Sequence, residues 1–177
     1  FSYISFRLIH VLRDKQTGRL PELSLPEFAT YVVFFPSLSA GPIDRAERFA
    51  SDLRKEFHLT QDETLLAGQR IVIGLFKKFV IADALALMAL NDTLAVQVRT
   101  TGWMWIVLYA YTFQIYFDFS GYTDIAIGIG RLVGIKLPEN FTSPYTKPNI
   151  TQFWNSWHIT LTQWIRSYFF NPFNRWI

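Results

Sequence analysis

Long apolar blocks separated by polar turns organise this chain, and the blocks predict helices. Residues 1–12 are apolar apart from an interior Arg7 and His10. They run into a polar turn through Asp14, Lys15 and Gly18, as at the end of a helix whose start lies upstream. Pro21 and Pro26 bracket a loop or a helix start. Phe28–Leu38 is then almost wholly apolar up to Pro36 and the turn chemistry of Gly41-Pro42. At about 1.5 Å per residue it reaches about half-way across a bilayer core of about 30 Å. A re-entrant or partly embedded helix broken at Pro36 is therefore expected. Asp44–Glu63 mixes charges of both signs and reads as solvated. Leu65–Leu90 is a long helical pattern carrying Lys77, Lys78 and Asp83. A charge at the bilayer centre costs about 2.5–3.5 kcal/mol on insertion scales. This helix is thus expected to lie partly in the interface, or to place Lys77 and Lys78 at the membrane surface with a short span beginning near Phe79.

Thr100–Phe117 is uncharged, covers about 27 Å as a helix and opens on Trp103 and Trp105, so it is the segment expected to cross a membrane. Apolar character continues to Ile135 on the far side of Asp118-Phe119-Ser120-Gly121. A single helix over that whole run would be about 50 Å long, and a break is expected at Ser120-Gly121. Ala126, Gly130 and Gly134 follow at four-residue intervals, a small-residue stripe suited to close helix contact. Three prolines make 136–149 a loop, and a final helix is expected over 150–170, capped by Asn149 or Thr151. Wound regularly, that helix places Trp157, Leu161, Trp164 and Tyr168 on one face and Asn155, His158, Thr162 and Arg166 on another.

Composition narrows the class. Half of the 177 residues are hydrophobic and 18% aromatic, more rings than a soluble domain usually houses. Yet 18% are charged and the mean hydropathy is only +0.16, so polar groups must sit in loops or inside the protein. The expected fold class is all-α: a multi-pass helical membrane protein with broken or re-entrant helices, 1–177 forming one fragment cut from something longer at both ends. An aromatic-rich soluble α-domain is the alternative on composition alone. The net charge of +3 without a Lys/Arg run excludes a nucleic-acid partner. The absence of cysteine excludes disulfides, thiolate metal sites and thiol nucleophiles.

Of three histidines, His58 lies in the charged segment and reads as solvated, and His10 sits close to the start. His158, between Trp154 and Trp157 and in register with Thr162 and Arg166, has two readings: a hydrogen-bonded bundle residue, or a group lining a reaction channel where imidazole moves protons. Asp118 and Asp124 are carboxylates in apolar sequence, which need partners or water. Arg131, Arg166 or a freed backbone N–H at the expected break are their structural partners; a functional role is the other reading. No nucleophile elbow, phosphate loop, HExxH or EF-hand pattern occurs.

Four stretches together resemble the membrane-bound O-acyltransferase family, above all its bacterial branch of alginate and peptidoglycan O-acetyltransferases and the D-alanyl-lipoteichoic acid exporter. They are Phe34-Phe35-Pro36-Ser37-Leu38-Ser39-Ala40-Gly41-Pro42-Ile43 with Arg45, Gly74-Leu75-Phe76-Lys77-Lys78-Phe79-Val80-Ile81-Ala82-Asp83, 111–128 centred on Phe117-Asp118-Phe119-Ser120-Gly121-Tyr122-Thr123-Asp124, and Pro138-Glu139-Asn140-Phe141 leading into Phe153-Trp154-Asn155-Ser156-Trp157-His158. The resemblance implies transfer of an acyl group, acetyl in the first instance, from a thioester donor (acetyl-CoA or an acyl-carrier protein) to a hydroxyl of a cell-envelope polysaccharide. It implies a multi-pass protein of the inner, cytoplasmic membrane, no bound cofactor or metal, and a partner acyltransferase outside that membrane. His158 matches the first of two family histidines. The second, usually taken as catalytic, belongs to a Trp-His-Gly motif further downstream, so this fragment alone is expected to be inactive. His158 is then a supporting or proton-relay catalytic residue, with Asp118, Asp124, Asn155 and Arg166 in support. Two departures, Arg166-Ser167-Tyr168 for Arg-Asp-Tyr and Asn171-Pro172-Phe173-Asn174-Arg175 for an apolar-Pro-Leu-Gly run, leave the acceptor open. An exporter or transporter module without its own chemistry, and a purely structural membrane module, are the competing functions.

Overall fold

In the computed structural model, which describes residues 2–174, every regular element is helical. Phe1 and residues 175–177, the two ends read above as cut, lie outside the described residues. The order is α1 (Ser2–Gln16), α2 (Leu25–Val33), α3 (Ala46–Leu53), α4 (Gln61–Phe76), α5 (Asp83–Ala86), α6 (Asp92–Gln97), α7 (Thr101–Leu132), α8 (Ile150–Trp154), α9 (Ile159–Ile165) and α10 (Asn171–Asn174). A π turn, Lys77–Ala82, carries α4 into α5, and another, Arg166–Phe170, carries α9 into α10.

Local chemistry explains the boundaries. Ser24 and Glu27 form a reciprocal capping box at the start of α2, and Arg54 donates from Nε to Glu27 Oε1 at 2.6 Å, tying the end of α3 to that cap. The Arg54 guanidinium, then the Ser24 bonds, hold the Glu27 carboxyl down at about 2. The apolar run breaks where expected: α2 stops at Val33, and Pro36 sits in a 3₁₀ turn, Phe35–Ser37. The charged segment is less solvated than expected, because α3 is amphipathic and buries Ala46, Phe49 and Ala50. Ala46 and Phe49 join Val11, Tyr31, Phe34, Ala126, Ile127, Ile135 and Leu137 in the core, between α1–α3 and the second half of α7.

The expected break at Ser120-Gly121 is absent. α7 runs unbroken for 32 residues, about 48 Å, and both residues are buried inside it. Gly121 serves close approach rather than a kink. A Cβ there would lie 2.7 Å from the Gly74 carbonyl oxygen, and one at Gly74 would lie 2.6 Å from the Gly121 carbonyl. Gly128 repeats this two turns on, against Ala67 and Ile71 of α4. These glycines, not the expected Ala126–Gly130–Gly134 stripe, make the helix crossing. Ala126 packs in the core, and Gly134 takes φ +82° to end α7, its N–H bonding the Arg131 carbonyl. Gly121→Val should therefore lower stability by about 3 kcal/mol, the upper end for overpacking, because backbone rather than a flexible side chain blocks it. Thermal unfolding of the detergent-solubilised protein would read this, and an unchanged midpoint would refute the crossing.

Among the described residues no helix is long and apolar enough to cross a membrane. This includes α7, which carries the expected span Thr100–Phe117. Tyr109, Tyr111, Thr112, Gln114 and Tyr116 dilute the apolar character of that stretch of α7.

Candidate active site

His158 does not lie within one helix over 150–170. The chain leaves α8 at Trp154, turns through 155–158, and re-enters helix at Ile159. His158 occupies the left-handed region at φ 43°, ψ 53°, a conformation costing a non-glycine residue roughly 1–2 kcal/mol. Asn140 from the preceding loop stabilises the turn. Its backbone carbonyl accepts the Ile159 N–H at 2.9 Å, and its side-chain Oδ1 accepts the Thr160 N–H at 3.2 Å and the Thr160 hydroxyl at 2.9 Å. The first N–H groups of α9 are thus satisfied by a distant residue, since His158 supplies no side-chain cap. Thr160 Oγ1 in turn accepts the Ile43 N–H at 3.0 Å, anchoring the assembly to the loop before α3.

The imidazole sits between three elements. Nδ1 is 3.2 Å from Asn140 Oδ1, and Nε2 is 3.3 Å from the Tyr3 hydroxyl of α1. Phe119 of α7 stands edge-on to the ring with centroids 4.8 Å apart. Burial pushes the imidazole down to about 4, so it is neutral at pH 7. On its open side lies a cleft of about 580 Å³, lined with His158 by Trp154, Trp157, Leu161, Thr162 and Arg166. The two faces expected of a regular helix are therefore mixed. Trp157 and Leu161 share the cleft with His158, whereas Trp164 and Tyr168 turn to α1, the first donating to the Phe6 carbonyl and the second to Asp14. Arg166 does join His158, and from the cleft its Nη2 donates to Asn155 Oδ1 at 3.3 Å.

Asp118 and Asp124 stand apart from this cleft. Asp124 is buried and doubly paired, accepting from Arg70 Nε and Lys77 Nζ, each at 2.6 Å. Arg70 also reaches Glu139, and Lys78 pairs with the half-exposed Asp118. The partners considered from sequence lie elsewhere, Arg131 beside Glu63 and Arg166 on Asn155. Lys77 and Lys78 each keep about a quarter of the side chain exposed. The π turn brings both against α7, where the carboxylates neutralise them. Arg70, Lys77, Asp124 and Glu139 line a second cavity of about 320 Å³ together with Tyr116 and Phe141. Tyr116, Phe141 and Trp157 pack edge-on and tilted between the two cavities.

A third polar cluster escaped the sequence reading. Arg7, buried, donates to the Tyr31 carbonyl at 2.9 Å and the Ser37 carbonyl at 2.7 Å. His10, also buried, has Nε2 2.9 Å from Asp14, whose carboxylate accepts the Tyr168 hydroxyl at 3.0 Å. The i, i+4 spacing of His10 and Asp14 was the available signal. His58, by contrast, is exposed, as expected. Nearby, Asp44 pairs through Oδ1 with Arg48 at 2.5 Å while its buried Oδ2 lacks a hydrogen-bond partner. Burial outweighs Arg48 and raises this carboxyl to about 6. The folded state then holds a proton that the unfolded chain releases near 4, so the Asp44 contribution to stability falls as pH rises from about 4 to 6. Relative to Asp44→Asn, the native protein should lose thermal stability across that window; parallel curves would contradict it. Among the described residues no group of three potential ligands could hold a metal ion.

Comparison with known proteins adds an independent line. Residues 2–176 match the family model of the membrane-bound O-acyltransferases. "Probable alginate O-acetylase AlgI" of Pseudomonas syringae is 41% identical over 170 residues, 96% of this chain and 32% of that protein. A "Teichoic acid D-alanyltransferase" of Bacillus subtilis is 35% identical over 179 residues, covering 99% of this chain and 45% of that protein. A "Peptidoglycan O-acetyltransferase" of Helicobacter pylori is 43% identical over 148 residues, covering 82% and 28%. The chain spans less than half the length of each of these relatives.

Proposed function

The chain belongs to the membrane-bound O-acyltransferase family, and from that premise we propose that it supplies part of the acyl-transfer site of a membrane-embedded O-acyltransferase acting on a cell-envelope polysaccharide. The observation that carries the reading is a neutral imidazole, His158, presented by a strained turn to an aromatic-lined cleft that also holds Arg166. In the transfer, the acceptor hydroxyl oxygen forms a bond to the thioester carbonyl carbon, the carbon–sulfur bond breaks, and the hydroxyl proton passes through a base to the leaving thiol. A neutral imidazole takes up and hands on that proton. In this reading His158 relays or orients beside the second family histidine. Acetyl is the proposed acyl group, carried as acetyl-CoA or on a carrier protein, and an extracytoplasmic acyltransferase is the proposed partner.

A multi-pass place in the cytoplasmic membrane is part of the same proposal. Large apolar side chains stand exposed on α4 and its π turn (Val72, Phe76, Phe79, Val80) and on the first half of α7 (Trp103, Trp105, Ile106, Tyr109), as suits a lipid-facing surface with interfacial aromatics. The test uses the intact protein in proteoliposomes with a labelled acyl thioester on one side and acceptor polysaccharide on the other. Ester-linked label on the polymer is expected. Label that crosses the membrane without becoming ester-linked would replace this reading with export.

A further inference from the structure

The hydrogen bonds around Asn140 determine which nitrogen of His158 carries the proton. A backbone N–H can only donate, so the end of the Asn140 amide that faces the Thr160 N–H is its oxygen. The same oxygen lies 3.2 Å from His158 Nδ1. An oxygen acceptor there requires Nδ1 to bear the hydrogen, and Nε2 is then the lone-pair nitrogen, positioned to accept from the Tyr3 hydroxyl at 3.3 Å. From this geometry we infer that Asn140 is a positioning residue that locks His158 in the Nδ1–H tautomer and orients Nε2 as the proton acceptor of the acyl-transfer site, an inference that rests on the function proposed above.

Two further features fit this role. Asn140 is fully buried, yet its Nδ2 amide group has no hydrogen-bond partner. Leaving a buried donor unsatisfied is costly, and the three bonds on the oxygen show which end of the amide the fold uses. That oxygen serves three donors at once: His158 Nδ1, the Thr160 N–H and the Thr160 hydroxyl. It therefore couples the ring orientation to the left-handed turn that presents the ring. Tyr3 on α1 and Arg166 across the cleft are the titratable or charged groups that face the imidazole from the elements around it. Neither offers Nδ1 an alternative acceptor, since Tyr3 meets Nε2 and Arg166 only donates.

Asn140→Asp keeps an oxygen at the same place and adds a negative charge, which favours the imidazolium. The acid limb of the pH–rate profile of the intact enzyme should move up by about one unit or more. Asn140→Ala should lower kcat by about 10- to 100-fold, the range for lost supporting partners, with KM within about threefold. Nitrogen-15 NMR of histidine-labelled intact protein in bilayers, with His158 assigned by difference against a His158 variant, reads the tautomer directly and does not depend on activity. An Nδ1–H signal in the native protein, with an imidazole titrating at higher pH in Asn140→Asp, supports the assignment. An Nε2–H tautomer, or an unmoved titration in a folded Asn140→Asp protein, overturns it. If Asn140→Asp does not fold, the native tautomer alone decides. Should the intact protein transfer no acyl group, the function falls while the NMR result still decides this point.

Discussion

Asp124→Ala should destabilise the protein by about 3 kcal/mol, toward the lower end of the range for breaking a buried ion pair. The carboxylate is buried on α7 and takes one close hydrogen bond on each oxygen, from Arg70 and Lys77. Removing it leaves Arg70 with Glu139 alone and Lys77 without its carboxylate, beside one another at the junction of α4, its π turn and α7. Those cations are about a third and a quarter exposed, so water relieves part of the penalty and the upper range is not expected. Asp118→Ala makes the contrast. Its partner Lys78 is shared with solvent, and the expected loss is about 0–1 kcal/mol, as for surface pairs. Combining Asp124→Leu with Lys77→Met should recover part of the loss by removing a charge along with its partner. Thermal or denaturant unfolding in detergent reads all three variants. A loss from Asp124→Ala no greater than from Asp118→Ala would show that the network does not hold the helices together.

His158→Gly should reduce acyl transfer by the intact protein at least about a hundredfold, within the range for a lost acid–base group. Glycine is the informative replacement because the position has φ 43°. Glycine tolerates that backbone, whereas alanine keeps the strain, so in His158→Gly the relief of strain offsets part of the packing and hydrogen bonds lost with the ring. The unfolding midpoint should fall by only a few degrees, the shift that about 1 kcal/mol produces, while the rate collapses, and KM should move little. If the midpoint collapsed along with the rate, the imidazole would be a packing element of the bundle, as in the structural-module reading.

The sequence carried the helical class and the break of α2 before Pro36, because proline and apolar runs act locally. It also placed His158 and Arg166 together, since the chain between them is helical once past the turn after α8. It misjudged what depends on a partner. Ser120-Gly121 looks like a helix breaker in isolation, and only the facing Gly74 reveals a crossing point. Lys77 and Lys78 had no visible partners in the sequence, and only the π turn and the packing of α4 on α7 bring them to the two aspartates. Asn140 was visible only as part of a motif. Its work is done across 18 residues of sequence, through an oxygen whose donors could not be known beforehand. His10 and Asp14 had a readable helical spacing, but their burial depends on Tyr31 and Tyr168 from elsewhere in the chain.

The central claim is that the His158 ring takes part in acyl transfer to a hydroxyl. Its most direct test is the single-turnover rate at which labelled acyl groups become ester-linked to acceptor polysaccharide, measured for native and His158→Gly intact protein at equal amounts in proteoliposomes. The account predicts rapid ester formation by the native protein and a rate lower by about two orders of magnitude or more for the variant. Equal rates from two equally folded proteins would contradict it.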